Sequence, residues 1–212
     1  MRILHWIKQG LKMVAVVLIA CLFYGLMMTL QEDHLIWKDT LILAGSFFLL
    51  FGMFFSIMYS SMLYNQDIPL VISFGATRRE AFWGLQLGRA AYSVPMVLIA
   101  GCFFLIASEI SFIDLCKIAP LALAGFLFCH TLGAIMAILY IKFQKKGVIA
   151  FGTALMCIFI GGLAGFILAV NGDSDFELPK YTYYLAVGAG VLAYGLISMW
   201  EHRIVRNYNV KL

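Results

Sequence analysis

Charge is what this 212-residue sequence has least of: Asp, Glu, Lys and Arg make up 12% of it, about half the share of roughly 25% usual in soluble domains. With 63% hydrophobic residues and a mean hydropathy of +0.95, a soluble fold is excluded, and a single unit lying mostly in lipid is implied. Paired cysteines are also missing. Cys21, Cys102, Cys116, Cys129 and Cys157 contain no C-x-x-C, which sets aside a zinc site or redox centre. Four of them fall inside apolar runs, where a thiol behaves as a small buried hydrophobe, and Cys116, near a loop, has no evident disulfide partner. There is no G-x-x-x-x-G-K-[ST], no H-E-x-x-H and no G-x-S-x-G, so the chain shows no nucleotide-binding or hydrolase motif of its own. The net charge of +4 and pI of 8.8 raise nucleic acid as a partner. That idea fails on placement: the cations sit in short clusters between apolar runs, and no dense basic face emerges.

What is present is a series of apolar runs. A membrane helix needs about 20 mainly apolar residues, and six segments qualify: 13–30, 40–63, 90–108, 118–141, 148–170 and 182–200. The first follows a basic start, as a signal peptide does. Its run from Met13 to Leu30 is long for such a peptide and no small-residue cleavage site follows, so it reads as a span. With the N-terminus inside, the cytoplasmic segments hold Arg2, Lys8, Lys12, Arg78, Arg79, Arg89, Lys142, Lys145, Lys146, Arg203, Arg206 and Lys211. These are twelve of the fifteen Lys and Arg residues, leaving Lys38, Lys117 and Lys180 outside with eight of the eleven acids. The positive-inside rule then puts both termini in the cytoplasm. The outer loops QEDHLIWKD, SEISFIDLCK and NGDSDFELPKY are too short for an external domain. The expected fold is therefore an all-α integral membrane protein: an interfacial segment 1–12, a six-span domain 13–212, an inner loop 64–89 and a short tail 201–212.

Two cytoplasmic stretches are amphipathic. In MRILHWIKQGLK, Ile3, Leu4, Trp6, Ile7, Gly10 and Leu11 share one helical arc, and Arg2, His5, Lys8, Gln9 and Lys12 share the other. A basic face opposite a Trp-bearing apolar face predicts an elbow helix lying in the membrane surface. The inner loop reads NQDIPLVISFGATRREAFWGLQLGR. Asp67 is placed to cap a short helix that tolerates Pro69 in its first turn, and Gly75 permits a sharp turn. Thr77 and Glu80 match a capping box, so a new helix should start at Arg78. On that helix Ala81, Gly84, Leu85 and Gly88 form a small, apolar side suited to close packing, which leaves Arg79, Glu80 and Trp83 on the other side. Arg and Trp are common anchors of protein interfaces. The competing explanation is that the arginines hold the loop inside while Trp83 sits in the aromatic belt.

The stretch SFGATRREAFWG after the second of six spans resembles the loop of ABC transporter permease subunits, in particular small type-2 exporter permeases with a G-x-(S/T)-R-(R/K) entry into the third span. That resemblance implies a coupling helix that docks in a groove of a separate cytosolic ATPase. It assigns the docking role by position to Gly75, Thr77, Arg78, Arg79, Glu80 and Phe82, with Trp83 beside them. It further implies a second permease chain as partner, ATP and magnesium bound by the ATPase rather than by this chain, and a bacterial plasma membrane as the location. The short outer loops argue against permeases with a large outer domain.

Within the spans, His130 in FLFCHTLGA is the one clearly placed ionisable group. It reads either as a structural histidine bonded to a neighbouring helix or as a substrate- or proton-handling group. Gly161 and Gly165 in GGLAGF suit helix packing. Pro95 and Pro120 lie near the starts of spans three and four, where a kink costs least. Two other functions stay open: a six-span substrate-binding subunit of a small-molecule importer, which needs polar groups near the outer side, and an intramembrane enzyme, which has only His130 to build on.

Overall fold

The computed structural model describes residues 2–31, 37–107, 111–171 and 180–206; within these, the side chains of 2–3, 25–26, 28–31, 37, 39, 43, 114, 142, 144–148, 150–151, 153–171, 180–183 and 186 lie outside the description. Among the described residues the chain is helical throughout, with six α-helices: α1 Arg2–Gln31, α2 Trp37–Met62, α3 Ile68–Ser73, α4 Arg78–Ile106, α5 Phe112–Asn171 and α6 Lys180–Arg206. A π-helical segment, Leu63–Asp67, joins α2 directly to α3. Four described stretches are long and apolar enough to cross a membrane: Leu4–Tyr24, Thr40–Ser73, Arg78–Ile106 and Leu115–Ile141. Of the three expected outer connections, residues 32–36, 108–110 and 172–179 lie outside the description, and 112–117 belongs to α5.

α4 is the central helix, touching α1, α2, α3, α5 and α6. Small residues let it do so. A Cβ on Gly84 would stand 2.2 Å from Trp6 Nε1 of α1, and one on Gly10 would stand 2.9 Å from the Gly88 carbonyl. The buried stripe of α1 is Trp6, Gly10, Val14, Val17 and Cys21, spaced by three and four residues as one helix face requires. α1 thus differs from the expected elbow plus span. It is unbroken from Arg2 to Gln31, and Trp6 is buried in the bundle instead of lying in lipid. The glycines of α4 open a slot that the indole fills, and two side chains of the expected apolar arc, Leu4 and Leu11, are left exposed. On the polar arc, Lys8 and Lys12 are exposed, while His5 Nε2 comes within 3.6 Å of Asp67.

The expected inner loop 64–89 is nearly all helix, with only Phe74–Thr77 outside it. Asp67 does not cap: its backbone is helical and its side chain makes no cap hydrogen bond. The reason lies in Pro69, which has no N–H and whose ring would press on the carbonyl four residues back. The π-helical widening, in which Ile68 N–H bonds Leu63 O, takes up that mismatch without ending the helix. Pro95 and Pro120 also lie inside helices, because α4 and α5 begin well before the apolar runs that contain them.

α5 is the largest departure from the expected pattern. It covers the two expected spans 118–141 and 148–170 as one helical stretch of 60 residues. It is not straight. A Cβ on Gly190 of α6 would lie 2.9 Å from the Ala124 carbonyl of α5, and Lys180 is about 15 Å along α6 from Gly190. The connection from Asn171 to Lys180 reaches at most about 32 Å. A straight α5 would put Asn171 about 70 Å from Ala124, beyond what those lengths span even with the width of a helix contact added. α5 therefore changes direction between Ala124 and Asn171.

Candidate functional site

The turn between α3 and α4 is closed from both sides. Gly75 adopts φ 78°, open to glycine at little cost. Its N–H bonds Ile72 O at 2.9 Å, and Ala76 N–H bonds Val71 O at 3.1 Å, the paired bonds of a Schellman ending. Val71 and Ala76 are both buried beneath it. Two residues on, Thr77 Oγ1 accepts from Glu80 N–H at 3.2 Å and Glu80 Oε2 accepts from Thr77 N–H at 2.8 Å, which forms the capping box that starts α4. The carboxylate of Glu80 is thus engaged with Thr77, whose hydroxyl also lies 3.0 Å from it. Phe74 stands at the apex with 75% of its surface exposed.

Beside this turn, a groove of about 850 Å³ runs between the start of α4 and the end of α6. Arg78 and Arg79 line it from α4, and Arg203 and Arg206 from α6, all exposed. Arg78 donates to the last carbonyl of α6, Arg206 O, at 2.8 Å, placing a cation at the negative end of that helix. Phe82 is buried edge-on to the His202 ring, and Trp83 is 61% exposed on the groove wall. None of the described residues lining the groove is acidic. The structure therefore gathers Arg78, Arg79, Phe82 and Trp83 in one place and adds His202, Arg203 and Arg206, which periodicity in α4 alone does not reveal. Their trace in the sequence is the cluster HRIVR directly after the last apolar run.

Gly84 and Gly88 face the other way, under Trp6, as the packing side of α4. Gly161 and Gly165 belong to the part of α5 whose surroundings are outside the described residues. His130 is far from the turn in sequence and fully buried. Its Nε2 lies 2.8 Å from Ser93 Oγ. Ser93 Oγ also lies 3.0 Å from Arg89 O, so the hydroxyl sits between the imidazole and the α4 backbone.

Above the groove lies a second constellation. Arg89, counted from sequence among the cytoplasmic charges, is 1% exposed and makes a bidentate pair with Glu201, its Nη1 and Nη2 bonding the carboxylate at 2.7 and 2.6 Å. Arg89 Nε donates to Ser60 Oγ at 2.7 Å, and the Tyr194 ring lies 5.9 Å from its guanidinium carbon. The Tyr194 hydroxyl bonds Gln86. Neither Arg89 nor Glu201 is marked by a motif. The hint is only that each stands at the edge of an apolar run.

No protein-family model matches the chain, and comparison with curated proteins and with solved structures finds no match.

Proposed function

We propose that the chain is the permease subunit of an ATP-driven exporter, moved by a separate cytosolic ATPase that docks on the turn around Gly75. The observation that carries this reading is the build of the turn: an exposed aromatic, Phe74, is held on a doubly capped connection with almost no slack between two long helices. Thr40–Ser73 is 34 residues, about 51 Å of helix, against about 30 Å of hydrocarbon. That excess length supports a turn standing clear of the apolar layer, where a soluble partner reaches it. Arg79 and Glu80 add polar contacts around Phe74.

A push on the turn has a direct route into the bundle. The turn is continuous with α2 through α3 and the π-helical segment, and with α4 through the capping box. The Arg89–Glu201 pair then ties α4 to α6, so the three helices tilt together. Alternating access follows when two such bundles face each other, which makes a second permease chain the expected partner. In this reading the two halves of α5, whose direction changes between Ala124 and Asn171, and α6 supply the last three spans, with both termini in the cytoplasm. The chain itself binds no nucleotide; ATP and magnesium belong to the ATPase.

The test is purification of the full chain from its native membrane, followed by assay for magnesium-dependent ATP hydrolysis. The wild type carries that activity with it, and Phe74→Asp with Arg79→Glu loses most of it while keeping the same thermal midpoint. A preparation that never carries ATPase activity, or a variant that retains all of it, refutes the docking role.

A further inference from the structure

The groove between α4 and α6 differs from the turn beside it in charge and in depth. Four arginines line it, and among the described residues no carboxylate pairs with Arg79, Arg203 or Arg206. Like charges lining one groove repel one another, and the repulsion is relieved by an anion seated between them. Arginine is the side chain best shaped to meet a phosphate, through two parallel N–H bonds.

The groove also has an apolar end. From Arg206 it rises along α6 to Met199 and Ser198, about 12 Å of helix. Met199 lies in the last turn of the apolar run 182–200 and is 61% exposed, as is Trp83 facing it from α4. The headgroup layer on one side of a bilayer is only about 5–7 Å deep. A groove of this length passes from that layer into the edge of the hydrocarbon, where a soluble protein cannot follow and a lipid can. Basic pockets between membrane helices on the cytoplasmic side are suited to anionic headgroups.

We propose that this groove binds an anionic phospholipid, with its phosphate among Arg78, Arg79, Arg203 and Arg206 and the start of its acyl chain against Trp83 and Met199. The proposal rests on α4 and α6 crossing a membrane with this end inside, and it does not depend on an ATPase. A bound lipid there joins the ends of α4 and α6 by a non-covalent bridge, next to the turn.

Purified full-length protein, titrated with phosphatidylglycerol or with phosphatidylcholine of the same acyl chains, reports the preference by native mass spectrometry and by thermal midpoint. The wild type is expected to prefer phosphatidylglycerol by roughly 25-fold or more, and Arg203→Gln with Arg206→Gln to remove most of that preference, near fivefold per arginine. Should that variant unfold without lipid, Met199→Glu, on an exposed side chain, places a carboxylate in the groove and is expected to abolish the preference instead. Equal retention of the two lipids, or a preference that survives both variants, overturns the proposal. Stabilisation by millimolar inorganic phosphate equal to that by phosphatidylglycerol also overturns it, and assigns the groove to a free anion. Loss of ATPase activity in the α6 variant with lipid preference intact assigns the groove to a protein and overturns it too. Phe74→Asp alone, with Arg79 kept, leaves lipid preference unchanged, because Phe74 does not line the groove, so the docking reading and this one fail separately.

Discussion

Arg89 meets its carboxylate 112 residues further along the chain, and both groups are shut away from water. A buried pair of this kind survives only because the bidentate geometry and the bond to Ser60 replace lost hydration. Removing one partner leaves an uncompensated charge among apolar helices, whereas removing both leaves none. We expect Arg89→Leu and Glu201→Leu each to destabilise the bundle by about 3–5 kcal/mol, and the double variant to recover most of that loss. Thermal unfolding of the four proteins in one detergent checks the cycle. Additive losses would show that the pair is not coupled. The same reasoning treats His130 more gently: Ser93 Oγ lies 2.8 Å from its Nε2 and Tyr92 packs edge-on, with ring centroids 6.0 Å apart, contacts that tie α5 to α4.

At the scale of elements, the turn and the α1–α4 contact are the parts most sensitive to single methyl groups. Gly75→Val forces a branched residue to φ 78°, a cost of about 1–3 kcal/mol. Thr77→Ala removes the oxygen that accepts from Glu80 N–H, a cost of about 1 kcal/mol. Both changes should loosen the turn more than the bundle. Faster proteolysis between α3 and α4 with a nearly unchanged global midpoint is the expected result, and equal protection would mean the caps do not hold the turn. Gly84→Val acts on the opposite face. Its Cβ alone would stand 2.2 Å from the Trp6 indole nitrogen, so α1 must move away, at about 1–3 kcal/mol. Trp6→Ala in the same chain should restore part of the loss, and no rescue would place the damage elsewhere.

For the whole molecule, the decisive question is whether the second half of α5 crosses the membrane. The reach of the chain from Asn171 to Lys180 forbids a straight helix, and under the proposed topology Lys142–Gly147 lies inside and the connection after α5 outside. Single cysteines at Lys145→Cys and Asp175→Cys, in a chain otherwise without cysteine, should react with a membrane-impermeant thiol reagent from opposite sides. Labelling of both from one side would rule out a sixth span. α6 lies against the first half of α5: Gly190 packs on Ala124, and Glu201 reaches α4 beyond it.

Hydropathy by itself determined that the chain is helical and suited to a membrane, since backbone groups in lipid must bond within their own helix and apolar runs of this length permit little else. Local chemistry also determined the Gly75 turn and the start of α4, because a positive φ and a Thr-x-x-Glu box are set by neighbours three or four residues apart. What only the tertiary structure decided depends on residues far apart in the chain. Trp6 turned inward because glycines 84 and 88 left it a slot. Asp67 lost its expected cap because Pro69 was accommodated by a π-helical widening rather than a helix end. Arg89 looked like a surface cation until Glu201 stood beside it, and HRIVR became half of a groove only when α6 came to rest against α4. Sequence periodicity names the face a residue occupies on its own helix; which helix arrives at that face is settled by packing.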